Sequence, residues 1–402
     1  MVAHLTRLLG PSRLSLAEEA VQQSMVRALE TWPFHGAPPN PEAWLFRVAH
    51  NIAIDWVRRD QFLGARADQI VAGLARFAVG DPADPNLEGQ LRDDELRMIF
   101  MCCHPEMSRD SSVALSLKIC CGFSVREIAR AFLAEESAIA QRLVRAKRQI
   151  QERRLSLDMP GGEDLQLRLD AVLDVVYFLF NEGYAAHEGD VLVRRDFCAE
   201  ALRLARLIAD SPLNAPKVDA LVALMALQAA RAPARVDDGG DLVLLDRQDR
   251  GLWDRQLLSL GFHYFDRSIR GDTVSEYHVQ AAIAATHARS AGSGATDWPA
   301  ILELYDHLLT VNHSPVVVLN RAVAVSRVHG PGEALAAIDP LCADPKLRDY
   351  HLLMALRGHL LLELGRLAEA ADAFRAALQC RCSEPERRFL ASRLAECRRE
   401  PS

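Results

Sequence analysis

Six polar side chains fall close together in this chain: Ser137, Gln141, Arg142, Arg145, Lys147 and Arg148. Arginine and glutamine carry donors that can read base edges in a DNA major groove, while neighbouring cations hold phosphates. Such donors act together only if one element presents them on a common face. Upstream, Ser124 is followed three residues later by Glu127, a capping box that satisfies free amides at a helix start. Val125, Ile128, Ala129 and Phe132 recur at helical spacing, the register breaks over 133–136, and Ala138, Ile139, Leu143, Ala146 and Ile150 resume it. Residues 123–154 therefore read as a helix-turn-helix whose second helix keeps its cationic side outward. The same pattern also fits an ordinary solvated helix face, so the rest of the chain must decide.

A second group of polar residues lies earlier. The helical pattern 41–59 interleaves Arg47, His50, Asn51, Asp55 and Arg58 with Trp44, Leu45, Val48, Ile52 and Trp56. Asn40-Pro41 supplies its N-cap and first-turn proline. For Trp44 and Trp56 core packing is the reading preferred over base stacking. Before it, 16–32 reads as an amphipathic helix with apolar positions Leu16, Ala20, Val21, Met25, Ala28 and Leu29 and an acidic first turn, Glu18 and Glu19. A loop rich in Gly and Pro, 33–40, separates the two helices.

Composition favours helices packed on helices: half of the 402 residues are hydrophobic and only 6% are aromatic. The length suggests two or three domains. No apolar run is long enough to span a bilayer and no signal-peptide pattern opens the chain, so a cytoplasmic protein is expected. Nine scattered cysteines do not resemble a disulfide framework. The net charge of -7 argues against a simple nucleic-acid binder until it is divided: residues 1–154 carry a net +1 and the remainder -8. The acidity belongs to the C-terminal part.

The stretch WLFRVAHNIAIDWVRR, together with the helix before it and the helix-turn-helix, resembles the extracytoplasmic-function group of the sigma-70 superfamily of bacterial RNA polymerase sigma factors. The resemblance implies that the first helix, through Glu18, Glu19, Gln22 and Gln23, binds RNA polymerase core. It implies minus-ten promoter contacts at Arg47, His50, Asn51, Asp55 and Arg58, with the 33–40 loop cupping a flipped base. Minus-35 contacts are implied at Ser137, Gln141, Arg142, Arg145, Lys147 and Arg148. The family usually has a fuller helix before His4-Leu5-Thr6-Arg7, so the N-terminus reads as trimmed or its start codon as wrongly chosen. Residues 1–62 are then sigma region 2, 63–92 a linker dense in Gly, Pro and Asp that tethers rather than fuses the two parts, and 93–155 sigma region 4.

Residues 164–402 resemble the helical extension of one subgroup, a tetratricopeptide-like array, through VVYFLFNEGY, LNRAVAV and ERRFLASRL. Gly358, Leu361, Gly365, Ala370, Phe374 and Ala377 match one such unit, with Phe374 filling between two helices. A more degraded pair covers 297–341, further amphipathic helices lie at 191–209, 214–231 and 274–290, and 241–254 reads as an irregular charged crossing. Asn181, Glu182, Tyr184, His187 and Glu188 invite an acid-base reading, but no catalytic motif accompanies them, and a helix end with Gly183 and Gly189 as stops is preferred. Cys102-Cys103-His104 and Cys120-Cys121 lack zinc spacing and read as core. The expectation is an all-α sigma factor without enzymatic activity, metal or cofactor. Its partners would be polymerase core, promoter DNA and an unidentified regulator of the C-terminal domain, with no membrane. The alternatives are a helix-turn-helix regulator acting without polymerase core, or a repeat-protein adaptor with a degenerate sigma part.

Overall fold

The computed structural model describes residues 1–10, 13–59, 85–153, 155, 163–185, 192–290 and 292–397. Among them the architecture is all-α, and the one departure from helix and turn is an isolated bridge between Val236 and Leu242. The chain forms two compact units, Met1–Val175 and Val176–Ser402.

The first unit contains α1 (Val2–Leu9), α2 (Leu14–His35), α3 (Pro41–Arg59), α4 (Pro85–Cys102), α5 (Arg109–Ile119), α6 (Val125–Ala131), α7 (Glu136–Arg153) and the start of α8 (Glu163–Tyr184). Leu5 and Leu9 of α1, Ala17, Ala20 and Val21 of α2, and Ala49, Ile52 and Val57 of α3 share one core. Small residues on α2 let the three helices approach closely. The helix continues past the expected end at residue 32, through Pro33, and stops at Gly36, whose φ of 79° suits glycine. Pro33 is tolerated because the carbonyl it leaves without a donor belongs to Leu29, on the solvent side of the last turn. Asn40 caps α3 as expected, its Oδ1 accepting from the Ala43 amide at 3.0 Å.

The linker reading needs correction. Residues 60–84 lie outside the described residues, but α4 already begins at Pro85, well before the expected end of the linker. Nor are the two sigma-like parts merely tethered, because α1 and α4 pack together in one unit. At their contact Asp94 is buried, accepting from or pairing with His4 Nδ1 at 2.8 Å and Arg7 Nε at 2.9 Å. Burial alone would raise the Asp94 pKa, but the His4 hydrogen bond and the Arg7 charge overcome it and hold the carboxyl below its ordinary value. Cys102 and Cys103 are buried in the core beside α5, where burial pushes the Cys103 thiol well up.

The second unit continues with α9 (Arg195–Ala209), α10 (Pro216–Ala229), α11 (Arg255–Ser268), α12 (Glu276–Arg289), α13 (Trp298–Val311), α14 (Pro315–His329), α15 (Pro331–Ile338), α16 (His351–Glu363), α17 (Leu367–Gln379) and α18 (Glu384–Glu396). The 241–254 crossing is irregular as read, with short 3-10 turns at Leu245–Arg247 and Arg250–Leu252. In the α16–α17 hairpin Phe374 is buried, and a Cβ on Gly358 would lie 2.8 Å from its ring. Gly365, with φ 73°, turns the chain between the two helices. Gly183 has a different task from the one expected. It lies within α8, and a Cβ there would meet the Cys198 amide at 2.7 Å, so it permits close approach of α9 and does not stop a helix. His187, Glu188 and Gly189 lie outside the described residues.

Candidate nucleic-acid interface

The helix-turn-helix forms as its spacing predicts. Ser124 Oγ accepts from the Glu127 amide at 3.1 Å, and Glu127 Oε2 accepts from the Ser124 amide at 2.7 Å, which closes the capping box on α6. At the other end Leu133 adopts φ 48°, and the amides of Leu133 and Ala134 donate back to the Arg130 and Ala129 carbonyls at 2.9 and 2.8 Å. This left-handed closure sets the angle at which α7 leaves the turn. Ile139, Leu143, Ala146 and Ile150 bury one side of α7.

Its opposite side divides the expected contacts into two groups. Ser137, Gln141, Arg145 and Arg148 are exposed and follow one another at offsets of one helical turn, forming a continuous outward stripe. Arg145 makes no ion pair among the described residues, and Arg148 pairs only with Glu152, one turn away on the same helix. Such an exposed pair is worth less than about 1 kcal/mol and yields readily to a phosphate. Arg142 and Lys147 are engaged elsewhere. Arg142 reaches Asp110 at 3.3 Å and lies 5.4 Å from the Phe132 ring centroid. Lys147 donates to Glu18 Oε2 of α2 at 2.7 Å. Sequence reasoning missed Val144, which is 67% exposed beside the stripe although its apolar character suggests core.

On α3, Arg47, Asn51, Asp55 and Arg58 are exposed and repeat the same turn-by-turn spacing. His50 departs from the expectation. It is 1% exposed and lies against Phe46, with ring centroids 6.1 Å apart, so it faces the core rather than a ligand. Trp44 meets Trp32 edge to face at 5.5 Å, and Trp56 packs on the helical core, both in keeping with packing roles.

On α2, Glu19, Gln22 and Gln23 are exposed, whereas Glu18 is largely covered by its ion pair. Met25 and Leu29, expected in the core, instead face out. With Val26 and Phe34 they form an exposed apolar stripe in which Leu29 is 76% and Phe34 83% exposed. The buried side is Leu14, Ala17, Ala20, Val21, Ser24 and Ala28. A stripe of this kind, continuing a polar face, has the make-up of a protein-docking surface.

A helical protein with one outward polar stripe on a helix-turn-helix and another on a separate helix belongs to the class of nucleic-acid-facing factors. Comparison with known proteins narrows this. Sigma-70 region 2 is matched over residues 1–62, Sigma-70 region 4 over 97–150, and a family of unknown function, DUF6596, over 168–269. An uncharacterized protein of Rhizobium meliloti is 41% identical over 97% of this chain and 92% of its own length. The ECF RNA polymerase sigma factor SigX of Bacillus subtilis is 24% identical over 30% of this chain and 62% of its own. No solved structure matches. The chain belongs to the sigma-70 family, in its extracytoplasmic-function group, with a helical extension after region 4. Among the described residues no helix is long and apolar enough to cross a membrane.

Proposed function

We propose that this chain is a promoter-selecting subunit of RNA polymerase, working in the cytoplasm and catalysing nothing itself. In this reading the α2 stripe docks on polymerase core, α3 holds the melted minus-ten strand, and α7 enters the major groove at minus-35. The observation that carries it is the pair of outward stripes, Arg47–Asn51–Asp55–Arg58 and Ser137–Gln141–Arg145–Arg148, within matched regions 2 and 4. Arg47 and Arg58 suit phosphates, while Asn51 and Asp55 suit the edges of unpaired bases. On α7, Gln141 and Arg145 suit base edges, and Val144 offers an apolar surface to a thymine methyl.

Transcription with purified polymerase core on a pool of genomic fragments tests this directly. Initiation at a defined promoter set, lost on reversing the charge of Arg145, supports the reading. Duplex binding without any capture of polymerase core would favour a regulator acting alone. Function that survives charge reversal would favour an adaptor.

The C-terminal array is proposed to regulate in cis, since its net charge of -8 opposes the basic face of α7. Truncation after α8 tests that role: unchanged promoter output together with unchanged core binding would remove it.

A further inference from the structure

Three arginines meet in the second unit where helices α8, α10 and α12 end. Arg231 and Arg250 lie against the same indole, their Cζ atoms 5.6 and 4.8 Å from the Trp253 ring centroid. Arg235 stacks on Tyr184, 4.1 Å from its centroid. None of the three is paired with a carboxylate among the described residues. Two of them have structural work. Arg235 donates to the Tyr184 carbonyl at the end of α8, and Arg250 Nη1 donates to the His287 and Ser290 carbonyls, at 2.7 and 2.5 Å, at the end of α12. Arg231 has no such task. Its one polar contact is a long one, 3.4 Å from Nε to Gln248 Oε1, and it leaves both terminal nitrogens without an acceptor.

The charge does not balance. Three helix ends supply about half a negative charge each, which leaves about half of the positive charge uncompensated. Arg231 keeps part of its surface in contact with solvent, yet its charged head is deep enough that desolvation lowers its pKa, and Arg235 lowers it further. Beside it, His287 is held neutral at pH 7, its pKa lowered to about 4 by burial and by Arg231 and Arg250. The Trp253 indole N–H and His287 Nδ1 are both buried and without a partner among the described residues. A partly buried cluster of like charges beside unused polar atoms is costly unless something of opposite charge completes it.

We infer that Arg231, Arg235 and Arg250, with the Trp253 N–H beside them, form a binding site for a phosphate-bearing small molecule. Phosphate fits better than carboxylate because its charge, between one and two at neutral pH, matches the surplus, and its oxygens match the guanidinium fork. This site is separate from the DNA-facing stripes and does not depend on the promoter-binding reading.

The test uses the full-length chain with inorganic phosphate as probe, compared with chloride at matched ionic strength. The expected result is saturable heat in calorimetry and a higher melting temperature in phosphate, with acetate binding at least about tenfold more weakly. Arg231→Gln should abolish the phosphate effect while melting at the same or a higher temperature in chloride, since it removes an uncompensated charge. Arg231→Lys, which keeps the charge without the fork, should weaken binding by less. The proposal is overturned if phosphate does nothing that chloride does not, if acetate binds equally well, or if Arg231→Gln lowers the melting temperature in chloride and leaves the phosphate response intact.

Discussion

Lys147 on the recognition helix and Glu18 on the polymerase-facing helix hold each other, Nζ to Oε2, at 2.7 Å. Each residue is expected to serve a different partner, and here each occupies the other. The pair is partly covered, with side chains 28% and 15% exposed, so it contributes about 1 kcal/mol or less.

Glu18→Gln should therefore release Lys147 for DNA. Anisotropy titrations of a duplex against salt should give a steeper dependence, by about 0.9 in the slope of log K, with stability nearly unchanged. An identical slope in wild type and variant would mean that Lys147 does not reach phosphate.

Asp94 should act as a pH-sensitive tie between α1 and α4. Its carboxyl has a depressed pKa in the folded chain, so its contribution is present above the ordinary carboxylate value and is lost as pH falls through the lower folded value. Asp94→Asn, which leaves His4 and Arg7 without their anion, should cost about 3 kcal/mol near neutral pH. Denaturant melts of both proteins should converge below about pH 4. A gap that persisted at low pH would place the cost elsewhere.

Leu29→Glu should disrupt core docking without disturbing the fold. The side chain already faces water, so stability should change by no more than about 0.5 kcal/mol, while capture of polymerase core should fall at least about tenfold. Normal capture by a folded variant would rule out this stripe as the docking face.

How much of this was legible in sequence depended on the range over which each signal acts. The Ser124–Glu127 box and the spacing of Ile139, Leu143 and Ala146 are local, and they located the helix-turn-helix correctly. The direction of α2 was misread because its buried side is built from Ala17, Ala20, Ser24 and Ala28, while the larger Met25 and Leu29 face solvent. Weighting residues by hydrophobicity favours the wrong side of such a helix. His50 stands beside Asn51 in sequence, but one residue is a turn of about 100° on a helix, enough to carry it from solvent into the core against Phe46. The contact of His4 with Asp94 joins residues 90 apart, and no local periodicity encodes it.

Gly358→Ala should destabilise the second unit by about 2 kcal/mol, since the added methyl would meet the Phe374 ring at 2.8 Å. Combining it with Phe374→Leu should cost less than the sum of the two single changes. Additive costs in thermal melts would show that Gly358 and Phe374 do not share one space.

The left-handed turn at Leu133 separates aim from reading. Two backbone hydrogen bonds, from Leu133 and Ala134 to the preceding helix, orient α7, and its apolar side anchors it. Positions 137, 141, 145 and 148 contribute to neither. A lineage could therefore exchange all four and acquire a new regulon while the scaffold that presents them stayed as it was.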